Sequence, residues 1–493
     1  MRQLCFYILN FWSTLSAQCI IHVCAEMLEI TFTFSILSCD WRDDQIRILQ
    51  GNSDVSHGIP PCMSSVNSSV IQERRARKAA LSSFVGAVVD WYDFLLYGIV
   101  AALIFKDQFF PSIGANMGTL AALATFGVGF LFRPLGGVVF GHFGDKLGRK
   151  KMLVLTVVLM GISTVGIGFL PNFEAIGWWA PVLLVTLRAI QGFAVGGEWG
   201  GAALMAVENA PKGKKAFYSS GVQVGYGVGL VLATGAVSLI IATLGEEAFA
   251  EWAWRIPFIA SIVLIGIAMW IRRDQDESQE FVEKVIKADH HPEKLPILQA
   301  ISKHPKAFFY IIALRLTELL TMYLVTNFAL NYSTNNLSMD KQFFLNITLM
   351  VGAISCFSIP FFAWLSDKIQ HKTMCVWGGL IGALSAFPFF MALDAQNTWM
   401  IIVGAILLAN VAHDMVVSVH QPIFTSLFGT EYRYSGAGVG YQVASIIGGG
   451  FTPMIAASLV IWGDGSWHYV AIYLAIGCLL TALVAALMPK TKD

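Results

Sequence analysis

Arg188, Gln191, Val195 and Glu198 recur at i, i+3, i+7 and i+10 in an apolar stretch, so a helix carries them on one face. Ionisable groups in such a helix are costly and normally face a cavity. An arginine, an amide and a carboxylate on one stripe can bind an anion or pass a proton. The plainer reading is an Arg188–Glu198 contact that ties the helix to its neighbours. A second stripe holds Gly86, Asp90, Asp93 and Tyr97 at i, i+4, i+7 and i+11. Two carboxylates one turn apart, about 15–20 Å into a membrane at about 1.5 Å per residue, cannot both ionise cheaply. A group that takes up and releases a proton needs such a place. Permanent pairing of each with Arg133 or Arg188 is the alternative.

Further polar groups fall on other apolar segments. Arg315 and Glu318 stand at i, i+3, followed by Tyr323, Asn327 and Asn331 at i, i+4, i+8. Asn410, Asp414 and Gln421 share a face beside His413, while Gln223, Tyr441 and Gln442 come from two more segments. A hydroxylated carboxylate calls for this inventory: a guanidinium fork for the carboxylate, amides and phenols for the hydroxyls. Any single Asn or Tyr here is more often interhelical glue. His413 reads as a satisfied core histidine, with a proton relay beside Asp414 as the other option. Five of the eight cysteines lie in the first 62 residues, and none has CxxC spacing. With no nucleophile–base set and no metal cluster, the sequence points away from an enzyme and requires no cofactor.

These residues must be positioned by elements that live in lipid. The chain has 493 residues, 56% apolar and 13% charged, with a mean hydropathy of +0.64. Such a composition leaves too little charge to cover a water-soluble surface. Basic and acidic residues balance at 32 each, so no nucleic-acid partner is expected. A window of about 19 residues finds twelve spans, at 79–105, 117–141, 152–170, 180–206, 216–244, 254–271, 307–332, 342–366, 373–394, 399–427, 434–462 and 467–488. A polar break at 272–306 separates six from six. With residue 78 in the cytoplasm, the outer loops receive only Lys106 and Lys341, with Arg255 at a border. Nearly all other loop cations fall inside, which predicts cytoplasmic N- and C-terminal tails.

The two halves echo each other. Residues 141–150 follow the second span and 363–372 the eighth, while Tyr218-Ser219-Ser220-Gly221 and Tyr434-Ser435-Gly436 open the fifth and eleventh. A constant offset of roughly 220 residues marks a duplicated six-helix unit, the architecture of a transporter with a midplane site. The expected organisation is a cytoplasmic tail at 63–78, a first bundle at 79–271, a central loop at 272–306, a second bundle at 307–488 and a tail at 489–493. Residues 1–62 do not fit this plan. A thirteenth span or an uncleaved signal segment is conceivable, but no basic leader or clear cleavage site is present. The expectation is a true start at Met63.

Gly141, Asp145, Gly148, Arg149 and Lys150 fall between the second and third spans, where glycines permit close approach and the charges can bridge helix ends in one conformation. This loop resembles the signature of the major facilitator superfamily at every key position. Its copy keeps Asp367 but has Gln370 and His371 where Gly and Arg stood, which weakens its claim as a gate. Arg188-Ala189-Ile190-Gln191-Gly192 is similar to the Arg-x-x-Gln-Gly motif whose arginine that superfamily associates with proton coupling. Its antiporter motif has a proline where Tyr226 follows Gly225, which favours symport. Asp90-Trp91-Tyr92-Asp93-Phe94, Phe132-Arg133-Pro134-Leu135-Gly136-Gly137, Gly196-Gly197-Glu198-Trp199-Gly200-Gly201 and Trp254-Arg255-Ile256-Pro257-Phe258 resemble the metabolite:proton symporter family. The resemblance implies an all-α membrane protein of twelve helices in two six-helix bundles, working as a monomer in the bilayer of a bacterial inner membrane. It implies proton-coupled uptake of a small organic anion, shikimate or dehydroshikimate. Asp90, Asp93, Arg188 and Glu198 would serve the proton. Arg133, Gln191, Gln223, Arg315, Glu318, Tyr323, Asn327, Asp414, Tyr441 and Gln442 would serve the substrate. α-Ketoglutarate, citrate or proline/betaine uptake, or a transporter-like solute sensor, remain the rivals.

Overall fold

Apolar segments of this length form helices because a chain in lipid must satisfy its backbone hydrogen bonds internally. The computed structural model describes residues 83–147, 149–197, 207, 210, 213–273, 301–428 and 433–488, and no strand occurs among them. The helices are α1 (Ser83–Phe109), α2 (Ala115–Leu147), α3 (Arg149–Gly168), α4 (Trp179–Gly196), α5 (Lys215–Leu244) and α6 (Arg255–Arg273). The second set is α7 (Pro305–Asn335), α8 (Lys341–Lys368), α9 (His371–Asp394), α10 (Thr398–Ser426), α11 (Gly436–Trp462) and α12 (His468–Leu487). Ten are long and apolar enough to cross a membrane; α6 joins a short helix, Glu246–Ala253, at a 65° bend, and the apolar part of α3 is the shorter Val154–Gly168. Together they form the twelve-helix architecture expected of the sequence. Outward faces are apolar, as at Leu384 and Trp399, both 77% exposed.

Local chemistry sets the ends. Asp340 caps α8 by accepting from Gln342 N at 3.0 Å, and Asn397 caps α10 by accepting from Met400 N at 3.2 Å. Gly245 closes α5 at φ +88°, a backbone that side chains rarely adopt. The signature loop is shorter than its motif: α2 runs on to Leu147 and α3 starts at Arg149. Gly141 and Asp145 are thus helical in backbone, because the hydropathy window sees only the apolar part of a helix that extends past it. Gly148 lies outside the described residues, as do the side chains of Asp145, Arg149 and Lys150.

In the first bundle α2 and α4 touch backbone to backbone. A Cβ at Gly192 would strike the carbonyl of Gly129, and one at Gly196 that of Arg133. Small residues permit this approach, and it sets Arg133 and Arg188 in one layer. The seams between the bundles are α2 with α11 and α5 with α8, where Gly227 and Gly352 meet carbonyl to Cα. Both ends of the seam are bridged. At one, Lys106 Nζ donates to Asn335 Oδ1 at 2.8 Å, Asn331 Nδ2 to the Ala102 carbonyl at 3.0 Å, and Lys341 pairs with Glu246 at 2.9 Å. At the other, the Asp367 carboxylate accepts from Ala216 N and Phe217 N, each at 3.0 Å. α1 and α7 carry matching π-helical turns, Ala101–Phe105 and Leu324–Phe328, at the repeat offset. Such turns often mark functional positions.

Candidate functional site

Between these bridging contacts lies a polar layer at mid-helix depth. On α4, Arg188 is fully buried and its Nη1 donates to Gln191 Oε1 at 2.5 Å, one turn along. Gln191 Nε2 donates to Thr164 Oγ1 of α3 at 2.9 Å, and that hydroxyl donates to Asp93 Oδ1 of α1 at 2.5 Å. Arg188 and Gln191 of the expected stripe thus reach Asp93 through a threonine that sequence reasoning did not mark. A threonine in an apolar helix usually bonds its own backbone, as Thr164 also does to Met160, so nothing in the sequence singles it out. Asp93 Oδ2 has no hydrogen-bond partner among the described residues. Asp90 is half-buried and within electrostatic reach of Arg133. Glu198 lies outside the described residues, so the Arg188–Glu198 contact does too.

The guanidinium groups rest on aromatic faces. Arg188 lies 4.0 Å from the ring centroids of both Phe94 and Tyr97, and Arg133 lies 3.8 Å from Phe94 and 4.2 Å from Phe130. Rings stabilise a desolvated cation without occupying its N–H groups. Arg188 Nε and Nη2 and Arg133 Nε find no acceptor among the described residues. A buried donor left so costs about 1–3 kcal/mol, which an anion could recover. The opposite wall comes from α7: Tyr323 packs edge-on to Phe126 at 5.3 Å and Phe130 at 5.9 Å. Asn327 lies against Gly98, where any Cβ would meet its side chain, and its Nδ2 has no partner among the described residues. Gln223 Nε2 and Gln442 Oε1, both buried, are in the same condition. So is the hydroxyl of Tyr226, a mid-helix residue that the sequence reading valued only as a missing proline.

Arg315 differs. It donates from Nε and Nη2 to the two Glu318 oxygens at 2.9 Å each, and from Nη1 to the Tyr441 carbonyl at 2.7 Å and Ser445 Oγ at 2.5 Å. Its guanidinium carbon sits 3.3 Å from the Tyr441 ring centroid. Glu318 Oε2 is also 2.9 Å from His420 Nδ1. Arg315, Glu318 and Tyr441 thus hold one another. Asp414 is engaged elsewhere, by Ser355 Oγ at 2.9 Å, by Ser358, and by His413 Nδ1 at 2.6 Å. At the loop copy, Asp367 fills the role of a helix cap across the seam, with His371 Nε2 at 3.4 Å.

The profile of the Major Facilitator Superfamily matches residues 82–443. The chain belongs to the major facilitator superfamily. Within this superfamily it is 64% identical over 418 residues to the shikimate transporter of Escherichia coli (strain K12), covering 85% of this chain and 95% of that protein. The proline/betaine transporter of Escherichia coli (strain K12) is 33% identical over 435 residues, 86% of this chain and 85% of its own. A partially occluded inward-open structure of the xylose transporter XylE from E. coli matches with a TM-score of 0.67 at 16% identity, covering 85% of this chain and 99% of that one. At that identity it shows the fold alone. The two-bundle fold that the motifs implied is the fold of this superfamily, and the relatives are transporters rather than enzymes.

Proposed function

We propose that the chain is a proton-coupled symporter that imports shikimate across a bacterial inner membrane by alternating access. The observation that carries this is the 64% identity to a shikimate transporter over nearly the whole of that protein. The polar layer supports it chemically. The substrate carboxylate is received by the donors of Arg133 and Arg188 that have no acceptor among the described residues, and its hydroxyls by Gln223, Tyr323, Asn327 and Gln442. Arg315 is spent on Glu318 and holds α7 to α11 instead.

Asp93 carries the proton. As a carboxylate it draws the Thr164 hydroxyl, which orders Gln191 and thereby Arg188. Protonated, Asp93 no longer needs that hydrogen, and the relay releases Arg188 toward an anion. Proton and substrate binding are then linked, each favouring the other. The Asp367 cap closes the cytoplasmic end, a gate to which the α2–α3 signature loop is assigned by its motif, and the Lys106–Asn335 and Lys341–Glu246 contacts close the outer end. Both chain ends face the cytoplasm, the protein works as a monomer, and its apolar outer face contacts lipid. Dehydroshikimate, with the same carboxylate, is the second cargo. Nothing in the layer favours a betaine, whose cation would meet two arginines.

Labelled shikimate uptake into energised vesicles, with and without a protonophore, tests the proposal. Accumulation that collapses with the protonophore is expected. Binding that another organic acid competes for, without shikimate accumulation, would keep the symporter and sink the substrate.

A further inference from the structure

The mechanism above leaves the buried carboxylate of Asp414 unused. Asp414, fully buried at the middle of α10, takes hydrogen bonds from Ser355 and Ser358 of α8. Asn410 fixes Ser355 in turn, donating to its Oγ at 2.9 Å and to the Val351 carbonyl at 2.8 Å. Among the described residues the ion-pair partner of Asp414 is His413, at 2.6 Å. This matters because histidine is the one basic side chain whose charge is readily switched. With a neutral imidazole the pair holds a net negative charge in the middle of the molecule. With a proton on the ring the pair is neutral overall. Arginine beside Glu318 offers no such choice.

The surroundings connect this charge to the seam between bundles. Tyr226 of α5 lies with its ring centroid 4.9 Å from that of His413. Cys356 of α8 is within electrostatic reach of Asp414, and Tyr226 also feels Glu318 and Tyr323 of α7. His420, two turns along α10, is held by Glu318, which Arg315 neutralises. α9 presents Gly378 to Ala412 and Val416, with no charge. An imidazolium under Tyr226 gains a cation–π contact that exists only while α5 lies on α10.

We propose that the His413–Asp414 pair is a second proton-binding site, and that its proton crosses together with the one at Asp93. Each substrate anion then moves with two protons, and every cycle carries one net positive charge inward. The inference rests on the symport reading for Asp93. Only protons are exchanged: one binds at the imidazole from outside and leaves to the inside, with no bond otherwise made or broken.

The test uses purified full-length protein in liposomes, with labelled shikimate and two separate driving forces. One is a pH gradient; the other is a valinomycin–potassium potential, inside negative, without a pH gradient. For one net charge, about 59 mV gives tenfold accumulation, so a potential of about 118 mV gives about 100-fold in the wild type. In Asp414→Asn and His413→Asn the potential-driven gradient falls to about onefold, whatever rate remains. Wild-type protein that responds to the pH gradient but not to potential overturns the second site. Variants that keep the potential response overturn it too. Wild-type protein that responds to neither defeats the symport reading itself, and this inference with it.

Discussion

In the first bundle Arg188 and Asp93 are joined through Gln191 and Thr164, with an oxygen of Asp93 and two nitrogens of Arg188 left without partners among the described residues. In the second bundle Arg315 and Glu318 grip each other directly, with both bonds at 2.9 Å. Both arrangements bury an arginine and a carboxylate at similar depth in a duplicated scaffold. The direct pair satisfies its charges permanently and leaves nothing for a ligand. The relayed pair leaves its charges incomplete, and an incomplete buried charge is what a proton or an anion can bind to. On the proposed reading, one half of the duplication is a strut and the other is a site.

That contrast can be broken at several points. Removing one partner of the strut should be the most damaging change. Glu318→Gln strands Arg315 in an apolar interior and should cost about 3–5 kcal/mol, read as a fall in the thermal unfolding midpoint in detergent. Replacing both partners together, Arg315→Met with Glu318→Leu, should recover much of that loss. Gly98→Val fills the space that Asn327 occupies and overpacks the α1–α7 contact. It should cost about 1–3 kcal/mol and depress shikimate uptake more than it depresses expression. Thr164→Val keeps the shape of the relay but removes its hydroxyl. Stability should change by about 1 kcal/mol, while the coupling between external pH and shikimate affinity flattens in binding titrations. Asp367→Ala removes a cap from α5 worth about 1 kcal/mol and should raise the labelling rate of a cysteine placed at Ala216. Lys341→Ala breaks an exposed pair and should move stability by less than about 1 kcal/mol.

The sequence made the strut and part of the site visible for different reasons. The helices were legible because lipid forces apolar length, and the end of α5 and the starts of α8 and α10 fall within a residue of expectation where Gly245, Asp340 and Asn397 stop or cap the chain, whereas α4 ends at Gly196, short of the expected 206. Arg188 with Gln191, and Arg315 with Glu318, were legible because helical spacing puts i and i+3 on one face. What joins Arg188 to Asp93 was not, since Thr164 comes from a third helix and looks like any hydroxyl in a span. Ser355, Ser358, Ser445 and His420 stayed hidden likewise: their meaning lies in partners distant in the chain. Nor could spacing tell that Arg315 is satisfied while Arg133 and Arg188 are not, because that depends on where the Tyr441 carbonyl and the aromatic rings stand.

The central claim is that Asp93 carries the proton while the arginines hold the substrate. It is tested most directly by comparing Asp93→Asn with wild type in one set of liposomes, measuring both uphill shikimate accumulation under a pH gradient and exchange at equal shikimate on both sides. The account predicts that Asp93→Asn loses accumulation and still exchanges, because a permanently neutral side chain leaves Arg188 free for the anion. Uphill accumulation retained in Asp93→Asn would contradict it.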